Sequence, residues 1–131
     1  MKKLLLIAFL FFTAVTLKAQ SSDTNEVKDG EMKRYYFVLL TSGTNKDYSD
    51  TAKMRSYQAG HMANIMKMAE LGKLHIAGPF ETTKQYRGIF IIDAKDEEEV
   101  KELIAPDVYI QEGYLSYEII PWWSEKGAKL K

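Results

Sequence analysis

Two segments of this chain are apolar on both of their alternating sides, and that constrains the fold more than any other feature of the sequence. In residues 33–41 (KRYYFVLLT) one alternating set is Tyr35, Phe37 and Leu39, and the other is Tyr36, Val38 and Leu40. Residues 86–94 (YRGIFIIDA) repeat the pattern from Ile89 to Ile92. Aromatic and β-branched residues at this density predict strands. Successive side chains of a strand point to opposite faces, so a strand apolar on both sits inside a sheet that is covered on both. The chain must supply a layer for each face of that sheet or recruit one.

The rest of the pattern supplies one layer. Residues 42–48 carry Gly, Asn and Asp and predict a loop. Ser49 or Asp50 then caps a helix that runs to Leu71 and ends at Gly72. On it Met54, Tyr57, His61, Ile65 and Met68 recur every three or four residues, which puts them on one face. Residues 73–78 (KLHIAG) predict a short strand closed by Pro79, and residues 81–85 a polar turn. Residues 95–105 predict a helix whose acidic first turn suits the positive end of the helix dipole, with Val100, Leu103 and Ile104 inward and Pro106 as its stop. Residues 112–120 predict the last strand, ended by Pro121. The order βαββαβ is the ferredoxin-like α+β arrangement: a four-stranded antiparallel sheet with two helices on one face. Two helices cover one face only, so a second copy of the chain, making a homodimer, is the expected cover for the other.

The N-terminus is not part of this pattern. Lys2 and Lys3 precede an apolar run from Leu4 to Val15, followed by Ala19 and a polar stretch. This predicts a cleavable signal peptide over residues 1–19, cut after Ala19, and hence a periplasmic or secreted protein. The run is shorter than the roughly 20 apolar residues of a membrane span, so no membrane association is expected after cleavage. Residues 20–32 read as a flexible linker, 33–123 as the folded domain and 124–131 as a polar tail. The whole chain has 18 basic and 18 acidic side chains. The signal segment holds three lysines and no acid, which leaves the remainder mildly acidic. That charge balance argues against a nucleic-acid partner. With no cysteine, disulfides, thiolate metal sites and cysteine nucleophiles are excluded.

Few residues can carry chemistry. His61 lies in the middle of the inward stripe, where an imidazole can act as general acid or base; the alternative is a core histidine satisfied by one hydrogen bond. Asp107 follows Pro106 and can orient an imidazole; the alternative is a turn aspartate. His75 alternates with Leu74 and Ile76, in phase with Lys73 and Ala77, and so is expected to point away from the helices. Arg87 can hold an anionic group or pair with a nearby carboxylate. Gly88 gives room for a neighbouring chain or a ligand. Gly78, Pro79 and Phe80 form a rigid strand exit able to line a pocket, and Tyr57 is a further candidate for substrate contact. No nucleophile elbow, P-loop, dinucleotide fingerprint or metal-ligand spacing is present, and no metal site is expected.

Taken together, YYFVLL with Gly43, His61 in GHMANI, AELGKLHIAGPF, RGIFII, Asp107 with Gly113, and Pro121-Trp122 resemble the YCII-related domain family. The resemblance spans residues 33–122. It implies a dimeric α+β barrel and a cofactor-free site where His61 and Asp107 form a His–Asp pair between helix and sheet. Members include a lyase that removes chloride from a chlorinated hydroxyquinol. The family's usual Asp-Pro stands here as Pro106-Asp107-Val108. Two functions follow as expectations. One is a lyase, isomerase or hydrolase acting on a small cyclic or aromatic substrate; the other is an exported module that binds such a ligand without converting it.

Overall fold

A sheet whose central strands are apolar on both faces is what the computed structural model contains, over residues 30–81 and 84–131. The signal peptide expected at residues 1–19, and the linker as far as residue 29, lie outside the described residues. Strand β1 (Met32–Ser42) leads to helix α1 (Thr51–Glu70), then β2 (Leu74–Pro79), β3 (Tyr86–Ile92), α2 (Glu97–Ile104), α3 (Val108–Gln111) and β4 (Leu115–Glu125). The strands are antiparallel in the order β2-β3-β1-β4. This is the ferredoxin-like α+β fold. The two doubly apolar segments are its two central strands, and the edges fall to β2 and β4.

One face of the sheet carries the core. Tyr36, Val38 and Leu40 of β1 and Phe90 and Ile92 of β3 pack against Met68 of α1 and Val100 and Ile104 of α2. Helix α1 starts where the Asp50 carboxylate accepts the Lys53 N–H at 2.9 Å. Along it only the stripe Met54, Tyr57, Gly60, His61, Asn64, Ile65 and Met68 is shielded from solvent. Helix α2 starts at Asp96, which caps Glu99 in the same way. The opposite face presents Tyr35, Phe37 and Leu39 of β1 with Ile89 and Ile91 of β3. Across β1 it continues into Ile120 and Trp122 of β4, which stay exposed.

The structure differs from the sequence reading at the connection before β4 and at strand ends, β3 stopping at Ile92 and β4 starting at Leu115. The sequence pattern assigns no element between Pro106 and residue 112, where the structure has α3, because four residues give no periodicity. Strand β4 does not end at Pro121 but continues through it to Glu125; β4 is an edge strand, where a residue lacking an N–H is tolerated. That extension also absorbs the first residues of the expected polar tail. At the other end Met32, expected in the linker, pairs with Glu125 in the sheet, and Lys126 N–H donates to Glu31 O at 2.8 Å.

Glu99 ties α2 to the start of β2. Its Oε1 lies 2.7 Å from Lys73 Nζ, and its Oε2 accepts the Lys95 N–H at 2.7 Å. The Lys73 ammonium, and after it the Lys95 N–H, hold the Glu99 carboxyl below its ordinary 4.5. A carboxyl lowered in the folded state adds stability above its unfolded value and loses it as pH falls through the folded one. The melting temperature is therefore expected to fall as pH drops below about 4.5, and Glu99→Gln to flatten that dependence. Superimposable pH profiles of Tm for the two proteins would contradict the assignment.

Candidate active site

Two helix ends bring a histidine and a carboxylate together. Pro106 stops α2, and Asp107 adopts an extended backbone that starts α3. Its Oδ1 accepts the Tyr109 N–H at 3.0 Å, the usual service of an N-cap. Its Oδ2 lies 2.5 Å from Nδ1 of His61, halfway along α1. Asp107 is 1% exposed and the His61 side chain 13%. An ionised carboxylate only accepts hydrogen bonds, so the pairing assigns the Nδ1–H of the imidazole to Asp107 and turns Nε2 away from it. Gly60 permits the approach of the two helices. A Cβ there would lie 2.9 Å from Val108 Cγ1, inside contact distance.

His61 borders a cavity of about 340 Å³ between α1 and the sheet, at the small end of the roughly 300–1,000 Å³ of ligand sites. Leu40, Ile65, Phe90 and Leu115 make its apolar walls, and Gly78 and Pro79 close the β2 end. The His61 ring stacks on Phe90 with centroids 6.2 Å apart and leans on Tyr109 at 5.5 Å. Tyr109 also borders the cavity, and its hydroxyl donates to Met54 O at 3.3 Å. Burial raises the Tyr109 pKa, and the Asp107 carboxylate adds to the shift. It therefore stands in the site as a neutral phenol.

Two one-residue bulges decide which side chains reach the cavity. Between β1 and β3 the pairing steps from Leu40↔Gly88 to Thr41↔Tyr86 and leaves Arg87 as the extra residue. A bulge turns the extra side chain to the face of its neighbour. Arg87 thus joins Gly88 on the helix side and borders the His61 cavity, where strict alternation would have sent it to the open face. Between β2 and β3 the pairing steps from Leu74↔Ile92 to Ile76↔Ile91. This puts His75 and Ile76 together on the open face and returns Ala77 to the cavity wall.

Residues 36–123 match the YCII-related domain. The chain belongs to the YCII-related domain family. No curated protein matches it. Among solved structures it is similar to the 5-chloro-2-hydroxyhydroquinone dehydrochlorinase of Burkholderia phenoliruptrix AC1100 in complex with 2,5-dihydroxybenzoquinone. The identity is 17%, over 66% of this chain and 92% of that one, with a TM-score of 0.47.

Of the residues singled out in this YCII-related sequence, the fold gathers His61, Asp107, Arg87, Gly78 and Pro79 around one cavity. Tyr57 and Phe80 are not among them. The Tyr57 ring packs edge-on against Tyr109 at 6.2 Å and Tyr114 at 5.9 Å, beneath Lys53. Phe80 is 41% exposed outside the cavity, and only its N–H reaches back, to Arg87 O. Gly88 borders the cavity, and its backbone also lies close to β2. A Cβ there would lie 2.5 Å from Gly78 O, so the glycine serves the close passage of β2. His75 does face away from the helices, with the Tyr35 ring at 5.5 Å; Asp93 Oδ2, 3.8 Å from its Nε2, is engaged by Lys33 at 2.5 Å. Among the described residues no three His, Asp or Glu side chains could jointly hold a metal ion. Tyr109 and Gln58 also border the cavity, and no pattern in the sequence marks either of them.

The tautomer is testable. Asp107→Asn keeps a side-chain oxygen for the Tyr109 N–H but offers His61 Nδ1 an amide donor. The ring proton is then expected to move to Nε2. Long-range ¹H–¹⁵N spectra of the His61 ring report which nitrogen is protonated, and a ring still protonated on Nδ1 would refute the assignment.

Proposed function

We propose that this chain is a cofactor-independent enzyme of lyase, isomerase or hydrolase type that acts on a small cyclic or aromatic substrate by proton transfer at His61 Nε2. The observation that carries this reading is the buried Asp107 carboxylate on Nδ1 of an imidazole that borders an apolar cavity. A cavity that only stores a ligand needs no such pair. In the proposed reaction the substrate ring lies along Phe90, Ile65 and Leu115, and Nε2 takes a proton from it. Asp107 stabilises the imidazolium that forms and keeps the ring in one orientation. Removal from bulk water strengthens that stabilisation. The same nitrogen can return the proton at another atom, which is an isomerisation, or to a leaving group, which is an elimination.

The apolar open face supports a second part of the reading. Two copies of the chain pair through these faces and complete a dimeric α+β barrel, which supplies the layer that the helices do not. The signal-like N-terminus supports export to the periplasm or beyond, with processing after Ala19.

Wild-type protein incubated with a panel of small cyclic acids, lactones and hydroxylated aromatics, with products read by mass spectrometry, is expected to convert at least one class. His61→Gln is expected to lower that rate by about 10²–10⁴ with an unchanged circular dichroism spectrum. Equal turnover by the variant would remove His61 from the chemistry. Saturable binding without product would instead assign a non-catalytic ligand-binding module. Light scattering is expected to give twice the chain mass, and Trp122→Glu, a charge placed where the side chain is 40% exposed on the open face, is expected to shift it to the monomer.

A further inference from the structure

The charge lining the cavity carries information about the substrate that the His–Asp pair does not. Arg87 is cationic at any working pH. Among the described residues it makes no side-chain hydrogen bond or ion pair. It stands on the helix side because of the bulge opposite Leu40, an irregularity that the core packing of β3 does not need: Phe90 and Ile92 keep ordinary register with β1. A second cavity of about 130 Å³, bounded by Tyr48 and Tyr114, shares Gln58, Arg87, Tyr109 and Leu115 with the first. Arg87 is thus at the boundary between the two. No acidic side chain among the described residues borders either space; Asp107 lies behind the histidine and is already shared between two donors.

From this arrangement we infer that the substrate is a carboxylic acid whose carboxylate is held by Arg87 while its ring occupies the His61 cavity. The inference rests on the reading of that cavity as a substrate site and adds the chemical class. A free guanidinium beside an apolar wall offers a planar fork of donors, which matches a carboxylate in two parallel hydrogen bonds. A neutral ligand would leave those donors partly dehydrated with nothing to accept from them, which disfavours it. Arg87 also sets where the acid sits, because the ring must extend from the shared boundary toward His61.

Benzoate and its neutral isostere benzamide are the probes, titrated into the full chain and followed by the side-chain signals of Arg87 and His61 in NMR spectra. Benzoate is expected to bind about tenfold or more tightly than benzamide, the difference that a charge-assisted hydrogen bond makes. Arg87→Met is expected to abolish that preference, and Arg87→Lys, which keeps the charge without the fork, to retain part of it. His61→Ala is expected to keep the preference, so loss of proton-transfer chemistry and loss of anion recognition are read separately. Equal affinities for the two probes, a preference that survives Arg87→Met in a folded variant, or no benzoate binding at all would each overturn the inference.

Discussion

A carboxylate taken out of water must be met by hydrogen-bond donors, and the site is organised around how Asp107 meets that demand. One oxygen accepts the N–H of Tyr109, the second residue of α3, and the other pairs with Nδ1 of His61. Everything that brings those donors to one point is therefore under the same constraint. Pro106 ends α2 so that the backbone can turn, Gly60 lets α3 lie against α1, and the inward stripe of α1 presents the histidine to the sheet. No buried side-chain nitrogen or oxygen among the described residues is left without a partner. Both oxygens of the buried Asp107 carboxylate are thereby engaged.

The sheet contributes through its two departures from regularity. A strand alternates sides without exception until a residue is inserted, and β2 and β3 each carry one such insertion. In β3 the insertion delivers a cation to the helix side. In β2 it turns Ile76 to the open side beside His75 and returns Ala77 to the cavity wall. Because the bulges lie on different strands and act in opposite directions, the central rows of apolar residues stay in register while the chemistry at their margins is reassigned.

Most of the architecture could be read in advance because it follows from periodicity. The doubly apolar runs at Tyr35–Leu40 and Ile89–Ile92 are the two central strands, and the stripe from Met54 to Met68 is the buried side of α1. The parts that escaped are those that break a period. Four-residue α3 completes barely one turn. Pro121 signals a stop that an edge strand does not obey, and a bulge leaves no mark in composition, so the phase assigned to Ala77 was inverted beyond His75. The site was legible to the same extent: His61 from its stripe, Asp107 from its place after the Pro106 stop, and their pairing through the family resemblance. Tyr109 was invisible because its place depends on the capping geometry of Asp107 rather than on any pattern of its own.

Helix α3 has a consequence for how the pair exists at all. Isolated helices shorter than roughly 12–15 residues are marginal in water, so four residues have no helical stability to contribute by themselves. The N–H of the second of them, Tyr109, is held by the carboxylate that also holds the histidine. Folding of α3 and assembly of the pair are accordingly one event, driven by docking against α1. Lifting α3 and its cap from α1 would take Asp107 away from His61, so the pair depends on the same docking that holds the turn.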